Sequence, residues 1–533
     1  MTKSIQSLLD DNALLQQLLL KQQALLESKD SELEAKDSKI LELNQSYQTL
    51  LEQFRLAQHH RFGRSSEVCE AQGELFNEAE TLVEDDILEV DTTPEPEATP
   101  PKTKEKPKRK PLPKHLPRVQ VIHDIDKADK QCGCCGHQLQ QMGKDVSEKL
   151  EFIPAKVKVI ENVRLKYSCQ HCEKHDTKPN IKQASVPSSP IPKGYATPSL
   201  LSQIITSKYQ YALPLYRQET MFKQHGIEIS RRTMSDWMMK CGALFKPLHQ
   251  RLREIQLSQP VIQADETTVK VINDERAKSY IWVYCSGADS PASSNMAFKG
   301  VSIMRNIVLF DYQNGSRSGA CPLMFLGDFN GYLQTDGYAA YQKVNAELIG
   351  CWAHARRKFV EAQTAQGKTK VGKVNVAISF IQKLYAIEKA ITELSVDEKM
   401  KQRQVKSEPI LADFKAWLDK SALQISSKGK LGDAINYSLN QWSKLKRYTE
   451  SGLLNIDNNR AERAVKPFVI GRKNWLFNIN HKGAETSAML YSIIETARAN
   501  GLIPFDYINH CLEELAKSPT ELESLLPWNV KLG

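Results

Sequence analysis

The sequence predicts a multidomain α+β protein, and three patterns carry that prediction. A heptad repeat occupies the first 60 residues, two cysteine pairs lie in a short β-rich segment, and a strand-rich segment is flanked by helical ones. The predicted strands lie at 261–272, 280–286, 307–312 and 331–335. Strands bracketed by helices are typical of an α/β core. At ~150 residues per domain, 533 residues suffice for three or four domains.

The N-terminal segment repeats apolar side chains every seven residues. With Ile40 at position a, seven of eight a positions are apolar, and no Pro or Gly interrupts the pattern before Gly63. The d positions Gln22, Lys29 and Lys36 are polar and weaken the middle of the repeat. We expect a coiled coil with a second copy; the alternative is a single amphipathic helix packed on its own domain.

The segment from 61 to 118 has the composition of a linker. It is acidic at first and then mixes prolines with lysines, so it lacks the apolar surface that would offset ordering entropy. The first 98 residues carry 8 basic and 21 acidic side chains, whereas the rest of the chain carries 64 basic and 42 acidic ones. A basic excess in the larger part predicts a polyanionic partner.

The composition argues against a membrane protein and against a secreted protein. No run approaches the ~20 apolar residues of a membrane span, and the first 30 residues lack a signal-peptide pattern. Eleven cysteines without an export signal predict free thiols or metal ligands in a reducing compartment. We therefore expect a cytoplasmic protein built from globular domains.

Two C-x2-C pairs predict a zinc site. The pairs are Cys132 with Cys135 and Cys169 with Cys172, and two such knuckles can enclose one tetrahedral Zn²⁺. Four protein ligands leave no open position, so this zinc would be structural rather than catalytic. Three nearby residues keep the exact ligand set open: Cys134, His137 and His171.

A pair of helices with a basic second member follows the zinc-binding segment. Between residues 211 and 244, two helical stretches flank a turn at Gly226, and Ser230 can cap the second stretch. Arg231 and Arg232 stand at its start, which is the outline of a DNA-binding helix-turn-helix. An ordinary helical hairpin fits the same pattern.

Three carboxylates occupy positions where a buried acid needs a charged partner. Asp265 interrupts an apolar strand, Asp336 follows another strand before a glycine, and Glu462 lies near a helix start at Asp457–Asn459. Two strand-end aspartates and a helix glutamate offer the hard oxygen ligands that two Mg²⁺ ions need, with Mn²⁺ as a possible substitute. For any single one of them, a salt-bridged carboxylate is the alternative.

Basic and aromatic side chains are interleaved beyond the third carboxylate and in a second cluster near His354. Such interleaving suits phosphate contacts and stacking on an unpaired base. The DNA-binding residues predicted in addition to Arg231 and Arg232 are Arg356, Arg357, Arg463, Lys466, Arg472, Lys473 and Trp475. For His354, a core or helix-capping role competes with a role in an active site.

Together these motifs resemble the transposases of the insertion sequence 66 family over nearly the whole chain. The matching motifs are RFGRSSE at 61–67, DVSEKL at 145–150, ADET at 264–267, TDGY at 335–338, CWAHARRKF at 351–359, NNRAERA at 458–464, GRKNW at 471–475 and IIETA at 493–497. Lys466 stands where the family pattern has arginine, a departure that keeps the charge. Cys134 beside Cys135 is a second departure, and it leaves the zinc ligand at that knuckle open.

The resemblance implies a DDE-type catalytic domain of ribonuclease-H-like fold, with Asp265, Asp336 and Glu462 as catalytic and magnesium-binding residues. It also implies cleavage at the ends of an insertion sequence, strand transfer into target DNA, and accessory proteins encoded by the same element. The expected partners are double-stranded DNA and further copies of the chain, at the bacterial nucleoid. Two alternatives are a zinc-containing DNA-binding regulator with an inactive core, and a ribonuclease-H-like nuclease that does not join strands.

The predicted domain order combines the residue patterns with this resemblance. In chain order the parts are a coiled coil (1–60), a linker (61–118), a zinc-binding domain (119–185), a helix-turn-helix-like region (186–258), the catalytic domain (259–485) and a helical C-terminal region (486–533). A helical insertion is expected within the catalytic domain at about 362–448. This order puts the DNA-reading helices directly before the catalytic domain.

Overall fold

The computed structural model describes residues 2–62, 157–168, 181–276, 278–288, 304–366 and 372–532. Two units are distinguished, one formed by Met1–Val90 with Val186–Gly533 and the other by Asp91–Ser185. Among the described residues helices predominate and the strands form two small sheets, so the predicted mixed α+β class is confirmed. Among the described helices, none is both long and apolar enough to cross a membrane.

Helix α1 spans Thr2–Phe62, which confirms the predicted long N-terminal helix. Where side chains are described, the heptad a residues are more than half exposed: Leu19, Leu26, Leu33, Ile40, Tyr47 and Phe54. The d residues Leu43 and Leu50 are exposed to the same degree. Because an apolar stripe of this length is unfavourable in water, pairing with another helix stays the prediction.

The smaller unit is described at 157–168 and 181–185, where two short strands pair. β1 (Lys166–Ser168) and β2 (Ile181–Gln183) are antiparallel. The predicted zinc ligands lie outside the described residues: Cys132, Cys135, Cys169 and Cys172. Of the predicted linker at 61–118, residues 61 and 62 belong to α1, and the rest also lies outside the described residues.

Three helices lie between β2 and the central sheet: α2 (Pro198–Tyr209), α3 (Leu215–Gln224) and α4 (Arg231–Leu257). The predicted cap is confirmed, since the Ser230 hydroxyl accepts the backbone N–H of Thr233 at 3.1 Å. Gly226 has a φ of 74° in the turn between α3 and α4, a left-handed conformation that glycine adopts without strain. The helix pair predicted from the sequence is therefore present.

A five-stranded mixed sheet lies at the centre of the larger unit. Its strands are β3 (Val261–Val269), β4 (Ser279–Ser286), β5 (Ile307–Asp311), β6 (Tyr332–Gln334) and β7 (Glu347–Ile349). In the order β5-β4-β3-β6-β7, β4 is antiparallel to both of its neighbours, whereas β6 and β7 run parallel to β3. The four predicted strands are confirmed to within a few residues. β7 has no counterpart among them.

Helices cover both faces of this sheet. On one face, Phe310 of β5 contacts rings from α12 (Asn459–Trp475) and α13 (His481–Ala499), with centroids 6.0 and 5.4 Å away. On the other, Tyr284 of β4 stacks at 3.9 Å on a ring of α5 (Ala320–Leu326). Cross-strand partners share a face, so the pairing of Asp265 with Val283, and of Val283 with Phe310, puts Asp265 on the α12 side.

The helices between β7 and α12 surround a second hydrophobic core. They are α6 (Trp352–Gln366), α7 (Lys373–Ala390), α8 (Val396–Gln402), α9 (Glu408–Ala422), α10 (Lys430–Asn440) and α11 (Trp442–Lys446). Phe414 is fully buried at its centre, with the rings of Phe359, Phe380 and Trp442 at centroid distances of 5.0–6.2 Å. Helices thus fill the segment where the insertion is predicted. We call them the helical subdomain.

The C-terminal region is helical, as predicted. After α13 come α14 (Pro504–Leu515) and a 3-10 turn at Glu523–Leu525. α13 lies along the edge strand β5, where the hydroxyls of Ser492 and Thr496 accept the backbone N–H groups of Phe310 and Val308 at 2.8 and 3.0 Å. These bonds satisfy donors that an open sheet edge would leave unpaired.

Candidate active site

Asp265 lies in the middle of β3, half-buried. Its Oδ1 accepts the backbone N–H of Glu266 at 2.8 Å, which favours the ionised form. Burial nevertheless raises the pKa of Asp265 well above its ordinary value, and the negative charges of Glu266, Asp336 and Glu462 raise it further. A carboxyl group crowded by other carboxylates marks a place that favours a bound cation.

Asp336 stands beside Asp265 because of the strand register. β6 is parallel to β3, with Gln334 opposite Gln263. Both aspartates lie two residues beyond this pair, and neighbouring strands are about 4.8 Å apart. The fold therefore brings together two aspartates that are far apart in the sequence.

Two hydrogen bonds hold the turn at Asp336. Its Oδ1 accepts the backbone N–H of Tyr338 at 2.8 Å, and its carbonyl accepts the hydroxyl of Tyr437, from α10, at 2.8 Å. Gly337 has a φ of 94°, and a Cβ there would lie 3.1 Å from the side chain of Gln441. The glycine is required by this turn and by the close approach of the helical subdomain.

Glu462 lies in the first turn of α12, 5% exposed, and two side chains of α6 approach it. Nδ1 of His354 is 3.5 Å from Oε1, and Nη2 of Arg357 is 3.5 Å from Oε2. Burial raises the pKa of Glu462 to about 7; Arg357 opposes the shift, whereas Asp457 and Asp336 add to it. Within the described residues Oε1 has no hydrogen-bond partner, so one oxygen is available to a ligand.

His354 faces this site. Burial, followed by the positive charge of Arg357, lowers the pKa of His354 to about 4, so the imidazole is neutral near pH 7. The ligand atoms of Cys351, His354 and Glu462 lie within 4.8 Å of one another. Burial also raises the pKa of the Cys351 thiol well above its ordinary value, and its Sγ accepts the backbone N–H of Asn458 at 3.2 Å. A protonated thiol is a poor metal ligand.

The set of three carboxylates therefore fits a metal ion better than the cluster of Cys351, His354 and Glu462 does. Asp265, Asp336 and Glu462 supply oxygen ligands, which Mg²⁺ and Mn²⁺ prefer. Their mutual repulsion is what a divalent cation would relieve. One Glu462 oxygen without a hydrogen-bond partner in the described part of the chain is consistent with that use.

A fourth acid, Glu266, has no role in the sequence-based predictions. On the opposite face of β3, its Oε1 lies 2.8 Å from Nη2 of Arg317, and its Oε2 accepts the hydroxyl of Tyr341 at 3.3 Å. The Arg317 guanidinium also stacks over the ring of Tyr338 at 4.2 Å. Adjacency to Asp265 is the signal that could have found Glu266, whereas nothing local in the sequence points to Arg317.

The predicted DNA-binding residues differ in how far they face solvent. Three are exposed: Arg232, Arg463 and Lys473. Arg231 is exposed too, but it forms an ion pair with Glu219 at 3.0 Å. Arg356 is 3% exposed. A direct DNA contact is incompatible with this burial, because the guanidinium would have to leave the core.

The other residues of α12 that are predicted to contact DNA are partly buried or engaged in contacts within the protein. Lys466 is half-buried, and Nη1 of Arg472 donates to the hydroxyl of Thr267 at 2.8 Å, which ties α12 to β3. Trp475 packs edge-on against Tyr209, with ring centroids 6.0 Å apart. Stacking of Trp475 on a DNA base would compete with that contact, so this role stays a prediction.

Models of known protein families match four segments of the chain. The Transposase IS66 family model matches residues 193–486, more than half of the chain. The chain belongs to the IS66 transposase family. The other matches are the zinc-finger binding domain of transposase IS66 at 129–173, the Transposase C of IS166 homeodomain at 49–121 and the IS66 C-terminal element at 492–528. The family resemblance predicted from the motifs is confirmed.

Three relatives of this IS66 family member come from Sinorhizobium fredii. Uncharacterized protein y4jD is 33% identical over 432 residues, covering 78% of this chain and 81% of the relative. Uncharacterized protein y4hP is 32% identical over 420 residues, covering 75% and 73%. Uncharacterized protein y4qI is 31% identical over 427 residues, covering 77% and 76%.

Family membership gives the chain a transposase and DNA-binding role. The IS66 transposase match contains Asp265, Asp336 and Glu462. The zinc-finger match contains both cysteine pairs, which supports a metal in that segment.

Replacing Glu462 with Gln should stabilise the metal-free protein at alkaline pH. Because the pKa of Glu462 is raised from 4.5 to about 7, protonation of its carboxyl group favours the folded state. That contribution is complete below pH 4.5 and is lost as pH rises through about 7. Above that range the free energy of unfolding of the Gln variant should exceed that of the wild type by on the order of 2 kcal/mol. Thermal unfolding in chelator at acidic and at alkaline pH measures the difference.

The control for this prediction is Glu228→Gln, at an exposed position in the turn before α4. It should leave the unfolding temperature unchanged at both pH values. If Glu462→Gln raised the unfolding temperature equally at both pH values, ionisation of the Glu462 carboxyl group would not be what destabilises the folded protein. Added Mn²⁺ should stabilise the wild type more than the Gln variant.

Proposed function

We propose that this transposase cuts DNA at the ends of an insertion sequence and joins the freed 3′ ends to target DNA in one active site. Asp265, Asp336 and Glu462 would hold two Mg²⁺ ions, or Mn²⁺. When bound, such ions stabilise the attacking and leaving oxygens of an in-line displacement at phosphorus. One observation carries the proposal: the pKa values of Asp265 and Glu462 are both raised, by burial and by the nearby charge of Asp336.

The proposed chemistry is two displacements at phosphorus. Water forms a new P–O bond as the bond to the 3′ oxygen breaks, and that oxygen leaves as a 3′-OH. The 3′-OH then forms a P–O bond with a target phosphodiester, whose own 3′ oxygen leaves with the proton. Arg357, beside Glu462, supplies positive charge near the reacting phosphate.

We infer that the catalytic domain, 259–485, is ribonuclease-H-like. Three antiparallel strands, β5, β4 and β3, are followed outward by two that run parallel to β3. The candidate carboxylates come from the central strand, the end of its parallel neighbour and a helix packed on the sheet. This layout supports the inference and explains how residues from three distant motifs can act together.

A strand-transfer assay tests the proposal against its alternatives. The full chain is incubated with Mg²⁺, a target plasmid and the genomic DNA that flanks its own gene. Joined products are the expected result. Cleavage without joining would favour a nuclease, and binding without cleavage would favour a DNA-binding regulator; either would overturn the proposal.

The proposed partners are DNA and a second copy of the chain. Pairing through the exposed a and d residues of α1 would hold two catalytic domains together, as two element ends require. The exposed arginines and lysines of α4 and α12 would contact DNA phosphates. DNA as substrate would place the protein at the nucleoid, together with any accessory proteins that the element encodes.

We also propose that Cys132, Cys135, Cys169 and Cys172 hold a structural Zn²⁺. Zinc closed by four protein ligands contributes folding energy directly. A Cys172→Ser protein should therefore lose its equivalent of zinc and become protease-sensitive between residues 119 and 185. Atomic absorption and limited proteolysis measure the two effects, with Cys511→Ser, buried in α14, as the control that keeps its zinc. A Cys172→Ser protein that stays protease-resistant without zinc would contradict this site.

A further inference from the structure

Helix α1 has two different faces over its last turns. The a and d residues, among them Leu50 and Phe54, are exposed. The half-buried residues fall at the other heptad positions: Thr49, Leu51, Glu52 and Leu56. Through this second face α1 packs against α6 of the helical subdomain. A second copy on the a and d face would not compete with that contact.

Glu52 caps the start of α10. Its Oε2 accepts the backbone N–H of Lys430, the first residue of α10, at 3.2 Å. The residue before it, Gly429, has no side chain with which to cap the helix. A carboxylate at a helix N-terminus satisfies a free N–H group and interacts favourably with the helix dipole.

Arg55 makes the opposite kind of contact: it donates a hydrogen bond to the C-terminal end of α6. Its Nη1 donates to the carbonyl of Ala365, in the last turn of α6, at 3.2 Å. Carbonyls at a helix C-terminus lack partners within the helix, and a cation is favourable there. Glu52 and Arg55, three residues apart on α1, thus bind one end of each of two subdomain helices.

The other parts of those two helices reach the candidate active site. Tyr437, on α10 roughly 10 Å along the helix from Lys430, donates its hydroxyl to the Asp336 carbonyl. His354 and Arg357, near the start of α6, face Glu462. One rigid helix therefore connects Glu52 with Asp336, and another connects Arg55 with Glu462.

We propose that Glu52 and Arg55 are positioning residues for Asp336 and Glu462, so that the long N-terminal helix is part of the catalytic apparatus as well as a pairing element. This inference rests on the proposed function of those two acids. Helices transmit a displacement of one end to the other, and a shift of about 1 Å at a reacting centre can cost roughly a hundredfold in rate.

The test is carried out in the full chain. Glu52→Ala, Arg55→Ala and the double variant that carries both changes are each compared with the control variant Glu42→Ala. Glu42 is the matched control: it lies on the same helix away from the a and d residues, is largely exposed, and pairs with Lys39 at 3.9 Å. Cleavage of element-end DNA by the double variant should be roughly ten- to a hundredfold slower than by the wild type. Binding of Mn²⁺, followed by electron paramagnetic resonance, should weaken as well. Glu42→Ala should match the wild type in both.

Three further measurements separate positioning from a general structural effect. Mass in solution and DNA-end binding should be unchanged in the double variant, because both residues lie outside the heptad seam. Its unfolding temperature should fall by no more than a few degrees, the loss expected when two helix-end hydrogen bonds are removed. Wild-type Mn²⁺ binding and cleavage in the double variant would overturn the inference, as would a loss of cleavage accompanied by a loss of mass or by a larger fall in unfolding temperature. Glu52→Gln, which keeps the side-chain volume and an acceptor oxygen, should retain more cleavage than Glu52→Ala. If the wild type itself does not cleave, the proposed function fails, and Mn²⁺ binding still tests the positioning.

Discussion

An Asp336→Asn protein should bind element-end DNA like the wild type and cleave it at least roughly a thousandfold more slowly. Asparagine keeps the side-chain shape and an oxygen that can accept the Tyr338 N–H, so the turn should persist. It removes the negative charge that the proposed divalent cation would need from this position. Gel-shift titration and a cleavage time course with Mg²⁺ measure the two properties separately.

Asp328→Asn makes the same chemical change at an exposed position after α5. It should alter neither DNA binding nor cleavage. Cleavage by Asp336→Asn at more than about a tenth of the wild-type rate would remove Asp336 from the catalytic set. Loss of DNA binding in that variant would point to a folding defect at the β6 turn.

Replacing Arg403 with Met should unfold the helical subdomain or leave it marginally stable. The guanidinium is buried and bonds both oxygens of Glu388, at 2.9 and 2.6 Å. It also donates to the carbonyls of Tyr448, Ser451 and Leu454. Breaking a buried pair from one side leaves an uncompensated charge, at a cost of about 3–5 kcal/mol. Hydrogen exchange of the subdomain amides, with chemical denaturation of the full chain, measures that loss.

Lys415→Met provides the comparison within the same subdomain. Lys415 pairs with Asp419 at 2.6 Å on the surface of α9, and exposed pairs contribute at most about 1 kcal/mol. Hydrogen exchange should barely change in this variant. If Arg403→Met and Lys415→Met reduced the protection of the subdomain amides equally, the buried hydrogen-bond network of Arg403 would not be what holds the subdomain together.

Local patterns in the sequence predict much of the fold. The heptad repeat predicts α1, the serine before two arginines predicts the start of α4, and apolar runs predict four of the central strands. Each of these signals lies within a few consecutive residues, because it depends on backbone geometry and on one buried face. The family motifs then predict which three of the 63 acidic residues form the catalytic set. The register between β3 and β6 explains why the two aspartates lie close together.

Contacts between distant segments escape such reasoning. Arg356 and Arg357 are neighbours with identical chemistry in the sequence, yet helix phase buries one and turns the other toward Glu462. Tyr437 lies in the helical subdomain, about a hundred residues from the Asp336 carbonyl it binds, and no local pattern marks it. Side chains of this kind are fixed by how helices pack, which depends on the whole core.

If two chains pair through the exposed stripe on α1, the proposed movement of the element would be sensitive to protein dosage. If only paired chains are competent, mass action sets their number. Below the dissociation constant of the pair, the paired population falls with the square of the total concentration. A cell that halves synthesis of the protein would then reduce the working assemblies about fourfold. Weak expression would protect the host genome more strongly than the drop in protein level alone suggests.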